Sequence, residues 1–358
     1  MKNELLKILT KLVSFQTTND QPENITKCFD YIDSQLSFYP FAKKIYIQNG
    51  VESRVWSTKK SLNTEYILNA HIDVVPADQK LFKLHLQQDK LNGRGVSDMK
   101  FSIASYICIL KDIYTATKKL PSIALMLTSD EELGGYNGVN YLVNQIGYSA
   151  SVVMVPDGGE NNKIVENAKG VLHLQISSTG IPAHAARLWE GESAIEKLAQ
   201  AIVNLRKIYP YPSKSVWKNT LNIGKIQGGT QTNQVPDSAF MYLDIRYLPT
   251  TNTDIVVKKI ANACPNCQVK TIINGEAFHI DKNNKYISRW AKLISNGKQV
   301  YINENIASDG RYFSAKNIPV IVSKPIGGLI HHHDEWTSLS SLMEFTNNLK
   351  KFLTNDTD

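Results

Sequence analysis

At 358 residues the chain is long enough for two domains, each able to bury its own core. Its 42% hydrophobic and 20% charged content is that of a globular protein and excludes an extended disordered chain. The 40 basic and 33 acidic residues leave a net charge of +7, but the basic residues are scattered, which argues against the clustered positive face of a nucleic-acid binder.

Residues 1 to 40 predict two helices joined by a turn at Thr17 to Pro22. Leu5, Leu6, Leu9, Leu12 and Val13 form one apolar stripe, and Ile25, Phe29, Ile32 and Leu36 the other. Charge interrupts the first stripe, so it is not a signal core, and no apolar run reaches the ~20 residues of a membrane span. Four cysteines are too few for a disulfide framework, so a cytoplasmic protein without a membrane partner is expected. Cys264-Pro265-Asn266-Cys267 has a redox or metal spacing but no second pair, and reads as a helix-to-strand turn.

Strand-like segments follow near Lys44 to Ile47 and Val51 to Ser57, and a third runs from Glu65 into His71-Ile72-Asp73. A hairpin around Phe82 to Leu91 leads to Gly93-Arg94-Gly95-Val96-Ser97-Asp98 and the helix Ile103 to Tyr114. The apolar run Ile123 to Leu127 ends in Asp130-Glu131-Glu132-Leu133-Gly134-Gly135, and after a short helix, Val139 to Ile146, the strand Ser151 to Val155 ends in Pro156-Asp157. Strands alternating with helices predict an α/β fold, a sheet with helices on its faces, and ligands gathered beyond the carboxyl ends of the strands.

The texture changes at Lys169-Gly170. A strand over 171 to 177, the helix Ser193 to Tyr209, strands Thr220 to Gln227 and Ser238 to Tyr247, the helix Thr253 to Ala263 and the strand Gln268 to Ile273 make a β-α-β-β-α-β, ferredoxin-like unit. After Gly275 the first texture resumes with the helix Lys285 to Ser295, the strand Pro319 to Ser323, His331-His332-His333-Asp334-Glu335 and the helix Ser338 to Phe352. The expected organisation is a first domain in two parts, 1–168 and 276–358, interrupted by an inserted domain, 169–275.

Five ligand-type groups stand at strand ends or in glycine turns: His71, Asp98, one glutamate of Glu131 and Glu132, Asp157, and one histidine of the 331 to 333 run. Singly, each has an ordinary reading as a hydrogen-bonded histidine, a turn residue or a helix cap. Together, two imidazoles and three carboxylates are the donor set of two zinc ions, one carboxylate bridging. The glutamate left over is then placed to move a proton, and Asp73 to receive the other ring N–H of His71.

The combination of His71-Ile72-Asp73, Gly93-Arg94-Gly95-Val96-Ser97-Asp98-Met99-Lys100, Asp130-Glu131-Glu132, Gly180-x-x-Ala183-His184-Ala185 and His331-x-x-Asp334-Glu335 resembles the dinuclear-zinc exopeptidase and acyl-amino-acid hydrolase superfamily. Carboxypeptidase G, aminoacylase, acetylornithine deacetylase, succinyl-diaminopimelate desuccinylase and bacterial di- and tripeptidases belong to it. The resemblance implies a mixed sheet flanked by helices, with the inserted domain as lid and homodimer interface. It implies that His71 and Asp157 bind one metal, Glu132 and His331 the other, that Asp98 bridges, that Glu131 is the general base, and that the Asp98-Met99 peptide is cis. Zinc is the implied metal, and cobalt or manganese suits the same donors. His184 is implied to donate to the oxyanion in the partner's site, and Asn233, Arg246 and Arg311 to contact a small-molecule substrate.

Two departures bear on substrate. Asp157 stands where the deacylase branches carry glutamate and the peptidase branches aspartate, and Ala168-Lys169-Gly170 lacks the arginine pair of the desuccinylase. The expected activity is cleavage of an N-acyl amino acid bearing a free carboxylate. The alternative is a di- or tripeptidase or carboxypeptidase on the same fold. An inert binding protein would have lost one of these groups, and all are present.

Overall fold

A computed structural model describes residues 1–295, 297–305 and 308–354. The chain divides into two compact units. One comprises Met1–Glu166, Ile280–Glu304 and the chain from Ser308 on; the other is built on Asn167–His279. The divisions fall within a few residues of Lys169 and Gly275, because Phe278 and His279 still pair with Ala168 and Asn167.

The first unit is organised on a six-stranded sheet in the order Ala42–Gln48, Val51–Ser57, Ile123–Thr128, Asn63–His71, Ser149–Val155, Val320–Val322. The first two strands form a hairpin, and Val51–Ser57 runs antiparallel to Ile123–Thr128. The remaining pairings are parallel, so His71, Thr128, Val155 and Val322 end on one edge. Every residue of Ile123–Thr128 is buried, as a strand covered on both faces requires.

The helix Lys100–Thr117 is buried over its first eleven residues, Lys100 to Leu110, because other helices close around it. Phe101 and Trp290 both pack edge-on against Phe345, and Trp290 also against Phe352, which locks this helix to Lys285–Ser295 and Leu339–Thr354. A smaller antiparallel sheet matters more for the site. Trp336–Ser338 pairs with Lys90–Asn92, register Trp336 to Asn92 and Ser338 to Lys90, which sets the segment after Asn92 beside the segment before Trp336.

The second unit is a four-stranded antiparallel sheet in the order Thr220–Gly228, Ser238–Tyr247, Gly170–Thr179, Cys267–Gly275. The helices Ala194–Ile208 and Thr253–Ala263 pack on it through Leu198, Leu205 and Ile260, against Leu172, Leu174, Met241 and Leu243. Ser193 Oγ accepts from Glu196 N and Asn252 Oδ1 from Asp254 N, so both helices begin where a capping side chain stands. Cys264 and Cys267 are free thiols flanking the turn from the second helix into the last strand, with Asn266 at φ +64°. One predicted element differs. Val139 to Ile146 is a helix only over Val139–Tyr141 and continues as a wider π turn, Leu142–Ile146, ending at Gly147 with φ +91°.

Candidate metal centre

Parallel pairing puts His71 directly beside Thr128, so the chain beyond each strand enters the same space. His71 Nδ1 lies 3.0 Å from the main-chain oxygen of Asp73, nearer than the 3.5 Å to its carboxylate. That carboxylate accepts instead from the Glu132 N–H at 3.1 Å through Oδ2, while its Oδ1 has no hydrogen-bond partner. Asp73 therefore holds both His71, whose ring N–H it receives through its main-chain oxygen, and the acidic turn, through its carboxylate.

With Nδ1–H given to a carbonyl, His71 turns Nε2 toward Asp98 Oδ1, 3.0 Å away. Asp98 Oδ2 stands 3.1 Å from His331 Nε2, and the same nitrogen is 3.1 Å from Glu132 Oε2. At these distances each Nε2 must share a cation with the carboxylate it faces, a proton in the metal-free chain or a divalent ion in its place. Hydrogen bonds to Asp98 and then Glu132 raise the His331 imidazolium to about 10, against the effect of burial. Burial alone would lower His71, but its hydrogen bonds to Asp73 and Asp98 and their charges hold it well above the ordinary histidine value. Burial and then the charge of Asp98 push Asp157 up to about 7.

Two groups of potential ligands result, His71 with Asp98 and Asp157, and Asp98 with Glu132 and His331; within each, the donor atoms lie within 4.8 Å of one another. Asp98 is common to both, one oxygen toward each histidine. The Asp98-Met99 peptide is cis. The nitrogen and oxygen donors and the need for positive charge between them fit divalent ions. His332, His333 and Asp334 form a third, fully exposed group apart from these.

Glu131 lies on the same short 3₁₀ turn, Glu131–Leu133, and burial followed by the charge of Asp157 raises its carboxyl well above the glutamate range. The glycines after it are conformational necessities. Gly134 has φ +101° and Gly135 φ +66°, and a Cβ on Gly135 would lie 2.1 Å from Asp309 Oδ1. Arg311 Nη2 donates to Gly134 O at 2.7 Å and to the Tyr312 hydroxyl at 3.0 Å, so this arginine is fastened to the back of the acidic turn.

The other three expected residues belong to the second unit. His184 is exposed and bridges to Gln234, with its Nδ1 accepting from Ala186 N at 3.1 Å. Asn233, also exposed, accepts from Ala185 N at 2.9 Å through its main-chain oxygen, which ties its loop to that of His184. Arg246 spends its fork on Asp244, at 2.9 and 3.0 Å. Two residues without an expected role stand out in the first unit. Arg94 and Glu335 form a buried ion pair beneath Asp98 and His331, and only their presence in the quoted motifs signalled them.

Residues 67–355 match the peptidase family M20/M25/M40. The chain belongs to this family. Among its M20 relatives, a probable carboxypeptidase of Ajellomyces dermatitidis is 29% identical over 230 residues, 58% of this chain and 52% of that protein, so the chain spans about half the length of the first curated relatives it matches. A succinyl-diaminopimelate desuccinylase of Rickettsia bellii is 24% identical over 377 residues, covering 96% of this chain and 95% of that protein. Among solved structures, a tripeptidase from Staphylococcus aureus has the same M20 fold, with TM-score 0.83 at 19% identity, covering 99% of this chain and 98% of that one. No helix among the described residues is long and apolar enough to cross a membrane.

Proposed function

We propose that this M20 chain is a two-metal amidohydrolase that cleaves the amide of an N-acyl amino acid beside its free carboxylate. The observation that carries the reading is the Asp98 carboxylate, whose two oxygens each face the Nε2 of a different histidine. His71 and Asp157 would hold one ion, Glu132 and His331 the other, and Asp98 both. Zinc suits this set best, and cobalt or manganese the same donors. When bound, the ion pair polarises the scissile carbonyl and acidifies the attacking water.

Glu131 takes the water proton and passes it to the leaving amine, its position fixed because Asp73, Gly134 and Arg311 clasp the turn that carries it. His184 donates to the developing oxyanion across the interface of a homodimer, and Asn233, Arg246 and Arg311 select the carboxylate end of the substrate. Exposed Ile195 and Val203 on the helix and Ile226 on the edge strand of the second unit supply apolar surface for that dimer. Four free cysteines fit a reducing, cytoplasmic compartment.

A second reading, a di- or tripeptidase or a carboxypeptidase, is favoured by Asp157 in place of glutamate. A panel of N-acetyl and N-succinyl amino acids beside di- and tripeptides separates the two. Turnover of the acylated set at least about tenfold above the peptides, ~1.4 kcal/mol of transition-state preference, supports the deacylase, and the reverse order supports the peptidase.

A further inference from the structure

The two loops that bring Asp98 and His331 together come from distant parts of the chain, and one buried ion pair joins them. Arg94 is 3% and Glu335 1% exposed. Glu335 Oε1 accepts from the N–H of Ser97 at 2.8 Å and of Asp98 at 3.2 Å, and Oε2 from Gly95 N at 3.2 Å and Arg94 Nη1 at 2.5 Å. All four donors lie on the segment that ends at Asp98, and they fill the lone-pair sites of the carboxylate. Arg94 then reaches back: its Nη2 donates to the main-chain oxygen of His331 at 3.2 Å. His331 sits at φ +64°, a conformation that a non-glycine residue keeps only where its surroundings over-determine it. The Glu335 main-chain oxygen closes the set by accepting from Gly93 N and Asn92 Nδ2, each at 3.4 Å.

We propose that Arg94 and Glu335 are positioning residues that set the spacing between Asp98 and His331, and with it the affinity for the ion that these two share with Glu132. The inference rests on the two-ion reading above. Stability alone is a weak reason for such a pair, since the desolvation of two buried charges offsets most of their attraction. Geometry is the better one. A guanidinium can bond a carboxylate on one loop and a carbonyl on the other at fixed separation, whereas a lysine presents a single flexible point charge.

The test adds cobalt(II) alone to the metal-free full-length chain and follows its visible absorption. His331→Ala identifies which binding step belongs to the group containing His331. Glu335→Gln, isosteric but presenting an amide to Arg94 and Gly95, is expected to weaken that step about 10- to 100-fold, the usual cost of removing a group that orients a ligand. Arg94→Lys keeps the charge opposite Glu335 and loses only the reach to His331; it is expected to weaken the same step and leave the other unchanged. Circular dichroism reports whether each variant is folded, and if Glu335→Gln is not, Arg94→Lys decides alone. Folded Arg94→Lys with both steps as in the parent, or with both weakened alike, overturns the positioning role. A parent chain that takes up no cobalt fails earlier, and contradicts the two-ion reading itself.

Discussion

The candidate residues of the first unit, apart from the exposed His331, are held more tightly than those of the second. In the first unit His71, Asp73 and Asp98 are 1%, 0% and 6% exposed, and each is tied to another ligand or to the turn that carries one. In the second unit His184 and Asn233 are exposed, and Arg246 is half-buried on a neighbouring aspartate. Buried, mutually bonded groups resist displacement and suit a centre whose geometry must exist before substrate arrives. Exposed groups on loops carry contacts that can adapt to a ligand. The candidate metal ligands, Glu131 and Arg311 thus belong to the first unit, and His184, Asn233 and Arg246 to the second.

Removing the metal strikes only the first of these and has the largest expected effect. Chelation should abolish turnover, and zinc or cobalt should restore it. Because the ligands bind ions only when deprotonated, and His331 without metal titrates at about 10, uptake at about pH 7 should release protons and weaken as the pH falls. Calorimetry in buffers of different ionisation enthalpy checks the sign; uptake that strengthens in acid contradicts it. Glu131→Ala comes next, with an expected loss of about 10²- to 10⁴-fold in kcat while metal analysis still finds the parent ion content.

His184→Ala should lower kcat by about 10²- to 10³-fold, again with the ion content unchanged. Mixing this variant with Glu131→Ala sharpens the comparison. If His184 serves the neighbouring subunit, mixed dimers contain one intact site and regain activity that neither variant has alone. A fully active monomer at assay concentration would remove the cross-subunit role.

Much of the first unit was legible because its candidate ligands obey a positional rule. His71, Glu132 and Asp157 follow apolar runs, and parallel strands bring such ends together. The partnership of Asp98 with His331 was legible only through family resemblance, since it depends on the pairing of Trp336–Ser338 with Lys90–Asn92 and on a bond between residues 241 positions apart. No local pattern encodes that contact. The fork of Arg246 on Asp244 had a local signal that went unread, because residues two apart on a strand share a face. The destination of the Asp73 carboxylate was hidden for another reason: the turn it clasps closes only through two glycines in left-handed conformations.

The central claim is that Asp98 serves two ions at once, and counting metal per chain tests it most directly. After reconstitution and desalting, elemental analysis of the parent chain should find two divalent ions. Folded His331→Ala should retain one, and folded Asp98→Ala fewer than either. Two ions retained by Asp98→Ala would contradict the account.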